Sequence, residues 1–224
     1  MRLPLKLRIQ LALIFTTLKT HNMPCNHRFQ NELTTPGYPL NYLFVGTFNP
    51  AWNNPNGNNA NWFYTRSRNS LWHILPMVTI GASMMHLRHN TTFLRDWCSN
   101  QLRGIGFSDL IDCVLNADEE NPLHFADMMG FKDRILENYN LAGTDLEGLI
   151  RENAETLRNG GVYLTRYSHT LPQNGQIIGF WNTVQDLCME LNIPVNCLVT
   201  PSNGYMLTRA LKVEMWQESL GLAN

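Results

Sequence analysis

Short runs of β-forming residues alternate with helical segments along most of this chain, and that alternation limits the folds it can adopt. The run YLFVG at residues 42–46 is apolar, ends in glycine and predicts a buried strand. Two further strands are predicted at residues 162–165 and 195–200. Helices are predicted at residues 145–157, 177–191 and 205–220. Because such alternation is typical of a parallel sheet covered on both faces, we predict an α/β fold, a three-layer α/β/α sandwich around a short, mainly parallel sheet.

The middle of the chain is less regular. Residues 49–61 contain seven asparagines, two prolines and one glycine, which predicts a long loop, and loops of this length are usually functional or disordered. A helix opened by threonine caps is predicted at residues 91–102, and residues 105–114 alternate like one strand. Thr144 is predicted to cap the helix at residues 145–157.

The first 22 residues differ in composition from the rest. They hold four basic residues, no acidic residue and a five-residue apolar run at residues 11–15. No small-residue cleavage site follows this run, and it is too short to span a bilayer. We expect that Met23 is the biological start, that residues 1–22 lie outside the fold, and that residues 23–224 form one domain that acts as a monomer away from membranes.

Charge and cysteine usage restrict the function. The chain has 17 basic and 18 acidic residues, a net charge of −1, and residues 23–224 alone carry −5. A strongly basic chain would indicate nucleic-acid binding, so a DNA-binding role here requires a local basic patch. The five cysteines are scattered without the spacing of a zinc or iron–sulfur site. We therefore expect reduced, buried thiols, a cytoplasmic location, no metal and no cofactor.

Parallel sheets bind ligands beyond the carboxyl ends of their strands, which directs attention to residues 46–69, 165–169 and 200–205. These segments show no carboxylate pair, nucleophile elbow or phosphate-binding glycine loop. They carry amides and hydroxyls instead, at Thr47, Asn49, Asn69, Thr200, Ser202 and Asn203. Such groups can position a water and bind the edge of a heterocycle, which suits the hydrolysis of an N-glycosidic bond through an oxocarbenium-like state.

Several segments, in chain order, resemble the uracil-DNA glycosylase superfamily, closest to its mismatch-specific and hypoxanthine-type branches. GTFNP at residues 46–50 resembles the first motif, and FYTRSRNSLW at residues 63–72 resembles the segment that follows it. GIGFSDL at residues 104–110 resembles a later segment, TPSNG at residues 200–204 resembles the second motif, and Lys212 and Trp216 also recur. The resemblance covers residues 40–220 and implies a DNA glycosylase that removes a deaminated base of the uracil or hypoxanthine type.

The resemblance also implies site residues. The water-holding residue is Asn49 if the first motif supplies it, or Asn69 if the Arg-Asn segment does, as in the hypoxanthine-type branch. The first motif departs from the family, because glycine and asparagine are separated by two residues here rather than one. As ordinary structural residues, Asn49 would form a turn before proline and Asn69 would cap a helix.

Other residues receive binding roles from the same resemblance. Phe48 stacks on the extruded base, and the base site also includes Gly46, Thr47, Tyr64 and His169. DNA contacts are expected from Arg66, Arg68, Ser202, Asn203 and Tyr205. Many relatives carry a histidine in the second motif that stabilises the departing base; this chain has none there, and His169 is the expected substitute.

Two other functions remain open from the sequence. The first is a non-catalytic module that binds nucleic acid or nucleobases, which the shifted first motif, the missing histidine and the negative charge favour. The second is an N-glycosidase that acts on free nucleosides and needs no basic track for DNA.

Overall fold

The computed structural model describes residues 23–100, 103–203 and 207–222. The strands are β1 (Cys25–Asn26), β2 (Tyr42–Gly46), β3 (Ile105–Asp109), β4 (Ile111–Val114), β5 (Leu141–Gly143), β6 (Gly161–Leu164) and β7 (Val195–Cys197). The helices are α1 (Leu71–Ile80), α2 (Thr91–Ser99), α3 (Pro122–Met129), α4 (Asp133–Leu136), α5 (Leu146–Glu152), α6 (Ala154–Leu157), α7 (Gln176–Glu190) and α8 (Arg209–Ser219). Short 3₁₀ turns occupy Gln30–Glu32, Met85–Leu87 and Ser168–Thr170.

The central sheet has four strands in the order β3-β2-β6-β7, and all neighbouring pairs are parallel. In the middle of the sheet, Phe44 of β2 lies opposite Phe107 of β3 and Tyr163 of β6. The parallel order confirms the α/β fold predicted from the alternation of strands and helices. All four carboxyl ends therefore open at one edge of the sheet, where such folds bind ligands.

Successive side chains of β2 enter two different hydrophobic cores, because the side chains of a strand alternate between the faces of the sheet. Leu43 and Val45 join a core on one face that includes Ile150 of α5 and Trp181 of α7. Phe44 points to the other face, in a core that also holds Trp72, Trp97 and Trp216 from α1, α2 and α8. The helices on both faces complete the predicted three layers.

Residues 105–114 form two strands of different sheets rather than the single strand predicted. β3 pairs with β2, and β4 joins an antiparallel sheet of order β1-β4-β5. The chain changes sheet at Leu110, whose N–H donates to Gly46 O at 3.0 Å while its carbonyl accepts from Thr144 N, also at 3.0 Å. This change of direction leaves Asp109 at the carboxyl edge of the central sheet.

The predicted helix at residues 145–157 is also divided, into α5 and α6. Asn153 interrupts it, because its side chain bonds to Leu40 N at 3.0 Å and to Leu149 O at 2.9 Å. The cap of α5 is Asp145, which accepts from Gly148 N, rather than the predicted Thr144. Asn90, rather than a threonine, caps α2. The side chain that caps is in each case the one immediately before the first helical residue.

The expectations for residues 1–22 and for Tyr205 concern parts of the chain that lie outside the described residues. Across the described ranges, no helix is both long enough and apolar enough to cross a membrane.

Candidate active-site cleft

A cavity of about 390 Å³ lies at the carboxyl edge of the central sheet, a size within the usual range of 300–1,000 Å³ for small-molecule sites. It is bounded by the last residue of β3, by the segments that follow β2, β6 and β7, and by the start of α4. Its lining includes Gly46, Thr47, Phe48, Asn49, Tyr64, Arg66, Asn69, Asp109, Phe131, Asp133, Thr165, Arg166, Tyr167, Thr200 and Ser202. We call it the cleft.

Eight of the predicted site residues meet in this cleft although they are far apart in sequence. They are Gly46, Thr47, Phe48, Asn49, Tyr64, Arg66, Asn69 and Ser202. Three others are exposed and do not line it: His169, Arg68 and Asn203. The imidazole of His169 stacks on Tyr167, with ring centroids 5.4 Å apart. His169, the expected substitute for the missing histidine, therefore does not line the cleft.

The loop after β7 is bound to the segment that precedes α1. Asn69 and Ser202 form an antiparallel β-bridge, and Ser70 N donates to Pro201 O at 2.9 Å. From α8, the buried ammonium of Lys212 donates to Ser202 O at 2.6 Å, and burial lowers the pKa of Lys212. These contacts hold Asn69 and Ser202 on one wall of the cleft.

Asn69 has a structural role at that wall in addition to any chemical one. Its Oδ1 accepts from Leu71 N at 2.8 Å, at the first residue of α1. A carbonyl oxygen has two lone pairs, so this bond leaves one acceptor position for a water. The arrangement is compatible with both sequence-based interpretations of Asn69, a helix cap and a water-holding residue.

Asn49 is buried, lines the cleft and is bonded to Arg66. Nη2 of Arg66 donates to Oδ1 of Asn49, and the guanidinium lies 3.5 Å above the ring centroid of Phe131. Nε of Arg66 is buried without a hydrogen-bond partner among the described residues. Burial and, to a smaller extent, the charge of Arg28 lower the pKa of Arg66, the charge of Asp109 opposes them, and the resulting pKa is about 10. Arg66 therefore remains a cation at neutral pH.

A carboxylate that the sequence analysis did not identify lies at the floor of the cleft. Oδ2 of Asp109 is 2.6 Å from Nε2 of His27, and both side chains are buried. Nδ1 of His27 accepts from Phe29 N at 3.0 Å, so the single proton of the neutral ring is on Nε2. Nε2 donates to Oδ2, and Oδ1 of Asp109 makes no hydrogen bond with any described residue.

Gly46 makes room for this carboxylate. A Cβ at residue 46 would collide with Oδ1 of Asp109 and would lie 2.8 Å from the hydroxyl of Tyr64. The hydroxyl of Tyr64 is 3.0 Å from Oγ1 of Thr165. Burial and the nearby charge of Asp109 raise the pKa of Tyr64, which keeps it a neutral phenol. Tyr64 has a φ of +59°, a left-handed conformation that costs a non-glycine residue energy and that is concentrated at functional sites.

A second acidic residue lines the cleft but is paired. Asp133, the first residue of α4, forms an ion pair with Arg166 and accepts a hydrogen bond from Thr47 Oγ1 at 3.3 Å. The sequence-based statement that the three segments after the strands show no carboxylate pair holds for those segments, but the cleft is also lined by Asp109, which ends β3, and by Asp133, which begins α4. The signal that could have identified Asp109 was its place in GIGFSDL at residues 104–110, a segment that supports the family resemblance but in which the sequence analysis assigned no role to the aspartate.

Metal binding finds little support in the described part of the chain, which contains no group of three or more His, Cys, Asp or Glu side chains able to hold an ion. All five cysteines are free, and four of them are buried. Comparison with protein-family models, with curated proteins and with solved structures found no match.

Proposed function

We propose that this protein is a DNA glycosylase that hydrolyses the N-glycosidic bond of a deaminated base. The observation that carries the proposal is the free oxygen of Asp109 at the floor of a cleft with aromatic walls. Because Nε2–H of His27 donates to Oδ2, Asp109 is held as an acceptor with Oδ1 available to a ligand. Phe48 and Tyr64, which line the same cleft, can enclose a flat ring.

An acceptor at this position distinguishes a deaminated base from its parent. Uracil presents an N3–H where cytosine has a lone pair, and hypoxanthine presents an N1–H where adenine has one. A hydrogen bond to a charged acceptor contributes about 1.5–3 kcal/mol, and a lone pair directed at Asp109 would leave that carboxylate unpaired. Thymine and guanine share the same N–H, so they belong among the substrates of any test.

Asn69 is proposed to hold the attacking water. The C1′–N bond breaks with its electron pair on the base, and the sugar passes through an oxocarbenium-like state that water then captures. The second acceptor position of Asn69 Oδ1 can orient that water. Its attachment to Ser202 and α1 keeps the amide fixed, and a preorganised polar group stabilises developing charge better than a mobile one.

A local excess of positive charge supports DNA as the substrate despite the net charge of −1. Apart from Asp109 and Asp133, which also line the cleft, the segments around it at residues 47–70, 165–172, 199–203 and 207–209 contain no Asp or Glu. They contain Arg66, Arg68, Arg166 and Arg209. Arg68 and Arg209 are exposed. Exposed arginines beside a base-binding cleft suit phosphate contacts, because neutralising phosphates supplies most of the sequence-independent affinity for DNA.

The proposal is tested by incubating the protein with single- and double-stranded oligonucleotides that carry uracil, hypoxanthine, xanthine, thymine or guanine at one position. Alkaline cleavage then reveals abasic sites. Oligonucleotides with cytosine or adenine at that position are the matched controls. We expect cleavage at uracil or hypoxanthine and none at cytosine or adenine.

Two other results would each indicate a different function. Tight binding to these oligonucleotides without cleavage of any of them would indicate a binding module. Release of base from free deoxyuridine or deoxyinosine, but from none of the oligonucleotides, would indicate a nucleoside N-glycosidase.

A further inference from the structure

The cation of Arg66 lies in the cleft without an acidic partner. No carboxylate of the described residues forms an ion pair with it, whereas Arg166, the other arginine that lines the cleft, is paired with Asp133. The contacts of Arg66 are the hydrogen bond to Asn49 and the ring of Phe131, and its Nε is buried without a partner. A partly buried cation with these contacts is available to interact with an anion in the cleft.

The contact with Arg66 determines what Asn49 can offer to a ligand. A guanidinium only donates, so the atom of the amide that faces it is the carbonyl oxygen Oδ1. The other atom, Nδ2, has no hydrogen-bond partner among the described residues, and Asn49 lines the cleft. Asn49 therefore presents a donor, whereas the task of holding an attacking water requires an acceptor.

Asp109 creates a need for such a donor. Its negative charge lies beside the base that it recognises, and it would disfavour the anion that forms when the base departs. The charges of Asp109 and Arg66 influence each other across the cleft, since Asp109 acts to raise the pKa of Arg66. A positive charge relayed through an amide opposes the effect of Asp109, because linked hydrogen bonds polarise one another in a site of low dielectric.

We infer that Asn49 and Arg66 form the site that stabilises the leaving base. This inference rests on the proposed glycosylase function and assigns the step of that reaction in which the base departs. When the C1′–N bond breaks, the electron pair stays on the base and its charge spreads to the carbonyl oxygens. Nδ2 of Asn49 donates to one of those oxygens, and Arg66 supplies the compensating charge. The oxygen of water bonds to C1′, and the proton that water loses neutralises the base.

The inference is tested by single-turnover excision of uracil and of 5-fluorouracil from the same oligonucleotide. Fluorine withdraws electrons and makes the base a better leaving group, so 5-fluorouracil needs less help from the protein. We expect Arg66→Gln to slow uracil excision by about 10²–10³-fold and to slow 5-fluorouracil excision less. The ratio of the two rates, 5-fluorouracil over uracil, should therefore rise by roughly tenfold or more, since the loss of charge stabilisation affects the poorer leaving group more.

Two further variants and a control accompany this measurement. Asn49→Ala leaves the cation in place and should raise the same ratio, and Arg66→Lys should give a ratio between those of the parent and Arg66→Gln. Arg158→Gln removes an exposed charge that bonds to Leu191 O outside the cleft, and it should leave the ratio unchanged.

The outcomes separate this inference from the function on which it rests. Equal slowing of both bases by Arg66→Gln and by Asn49→Ala would overturn the leaving-group role and leave the glycosylase function intact. Failure of the parent protein to release any base from the oligonucleotides would overturn both.

Discussion

Asn69 and Ser202 pair as an antiparallel β-bridge although 133 residues separate them in the chain. The bridge joins the segment before α1 to the loop after β7, and both residues line the cleft together with Gly46. The sequence-based prediction that Gly46, Asn69 and Ser202 line one cleft is thereby confirmed. Asn69 therefore combines an observed structural role, as the acceptor for Leu71 N at the start of α1, with the proposed role of holding the attacking water.

Replacing Asn69 separates these two roles. Asn69→Ala should reduce single-turnover excision by about 10²–10³-fold, the usual effect of losing one preorganised polar group at a centre where charge develops. It should also cost about 1 kcal/mol of stability, because Leu71 N loses its acceptor. Asn90→Ala is the matched control, since Asn90 caps α2 by accepting from Phe93 N at 3.1 Å. If both variants lose stability alike and both retain full excision, Asn69 is only a cap.

Gly46→Ala should displace the carboxylate of Asp109 from its position in the cleft. The added methyl group would collide with Oδ1 of Asp109, and displacing packed groups typically costs about 1–3 kcal/mol. We expect loss of excision and a lower Tm, measured on the same preparation. Gly179→Ala, on α7, is the control, because its methyl group would meet nothing within 4 Å and should leave excision unchanged. An active Gly46→Ala variant would show that excision does not depend on the observed position of Asp109.

The exposed arginines predict a measurable salt dependence of DNA binding. Arg68→Gln and Arg209→Gln should each weaken binding similarly for all sequences and reduce the slope of log affinity against log salt by about 1. Arg151→Gln is the control, because Arg151 pairs with Glu147 and Glu190 away from the cleft. Fluorescence anisotropy at several salt concentrations gives the slopes. Equal slopes for all three variants and the parent would contradict the phosphate contacts.

Buried thiols predict a loss of stability at high pH. Burial raises the pKa of Cys25 and of Cys188 from 9.0 to about 12 in the folded protein. Their contribution is complete below pH 9 and decreases between pH 9 and 12, because the unfolded chain then loses protons that the folded protein keeps. The free energy of unfolding should therefore fall over this range, and less steeply for Cys188→Ala. Equal steepness for the variant and the parent would show that Cys188 ionises normally.

The fold could be predicted because β2 and its neighbours are short apolar runs with helical segments between them. The ends of helices and strands that the sequence did not predict depend on contacts between residues that are distant in sequence. The break between α5 and α6 results from Asn153 bonding to Leu40, and the division of residues 105–114 results from hydrogen bonds of Leu110 to two other segments. Neither contact leaves a periodic signal in the local sequence.

The cleft was predicted in part for a similar reason. The segments that follow strands carried Asn49, Asn69 and Ser202, and strand ends of a parallel sheet converge. His27 was missed because β1, which it follows, has two residues and belongs to a different sheet. Because the contact with His27 was not predicted, Asp109 was one more polar residue in an alternating segment, and nothing in the sequence indicated that a hydrogen bond orients its carboxylate.

The measurement that tests the central claim most directly compares the parent protein with Asp109→Asn on two oligonucleotides that differ only in having uracil or cytosine at one position. The parent should release uracil and spare cytosine. In Asp109→Asn the amide can donate as well as accept, so the ratio of uracil to cytosine released or bound should fall by roughly 10–150-fold, which corresponds to about 1.5–3 kcal/mol for a hydrogen bond to a charged group. An unchanged ratio in Asp109→Asn, or a parent that releases neither base, would contradict the assignment of Asp109 as the group that recognises a deaminated base.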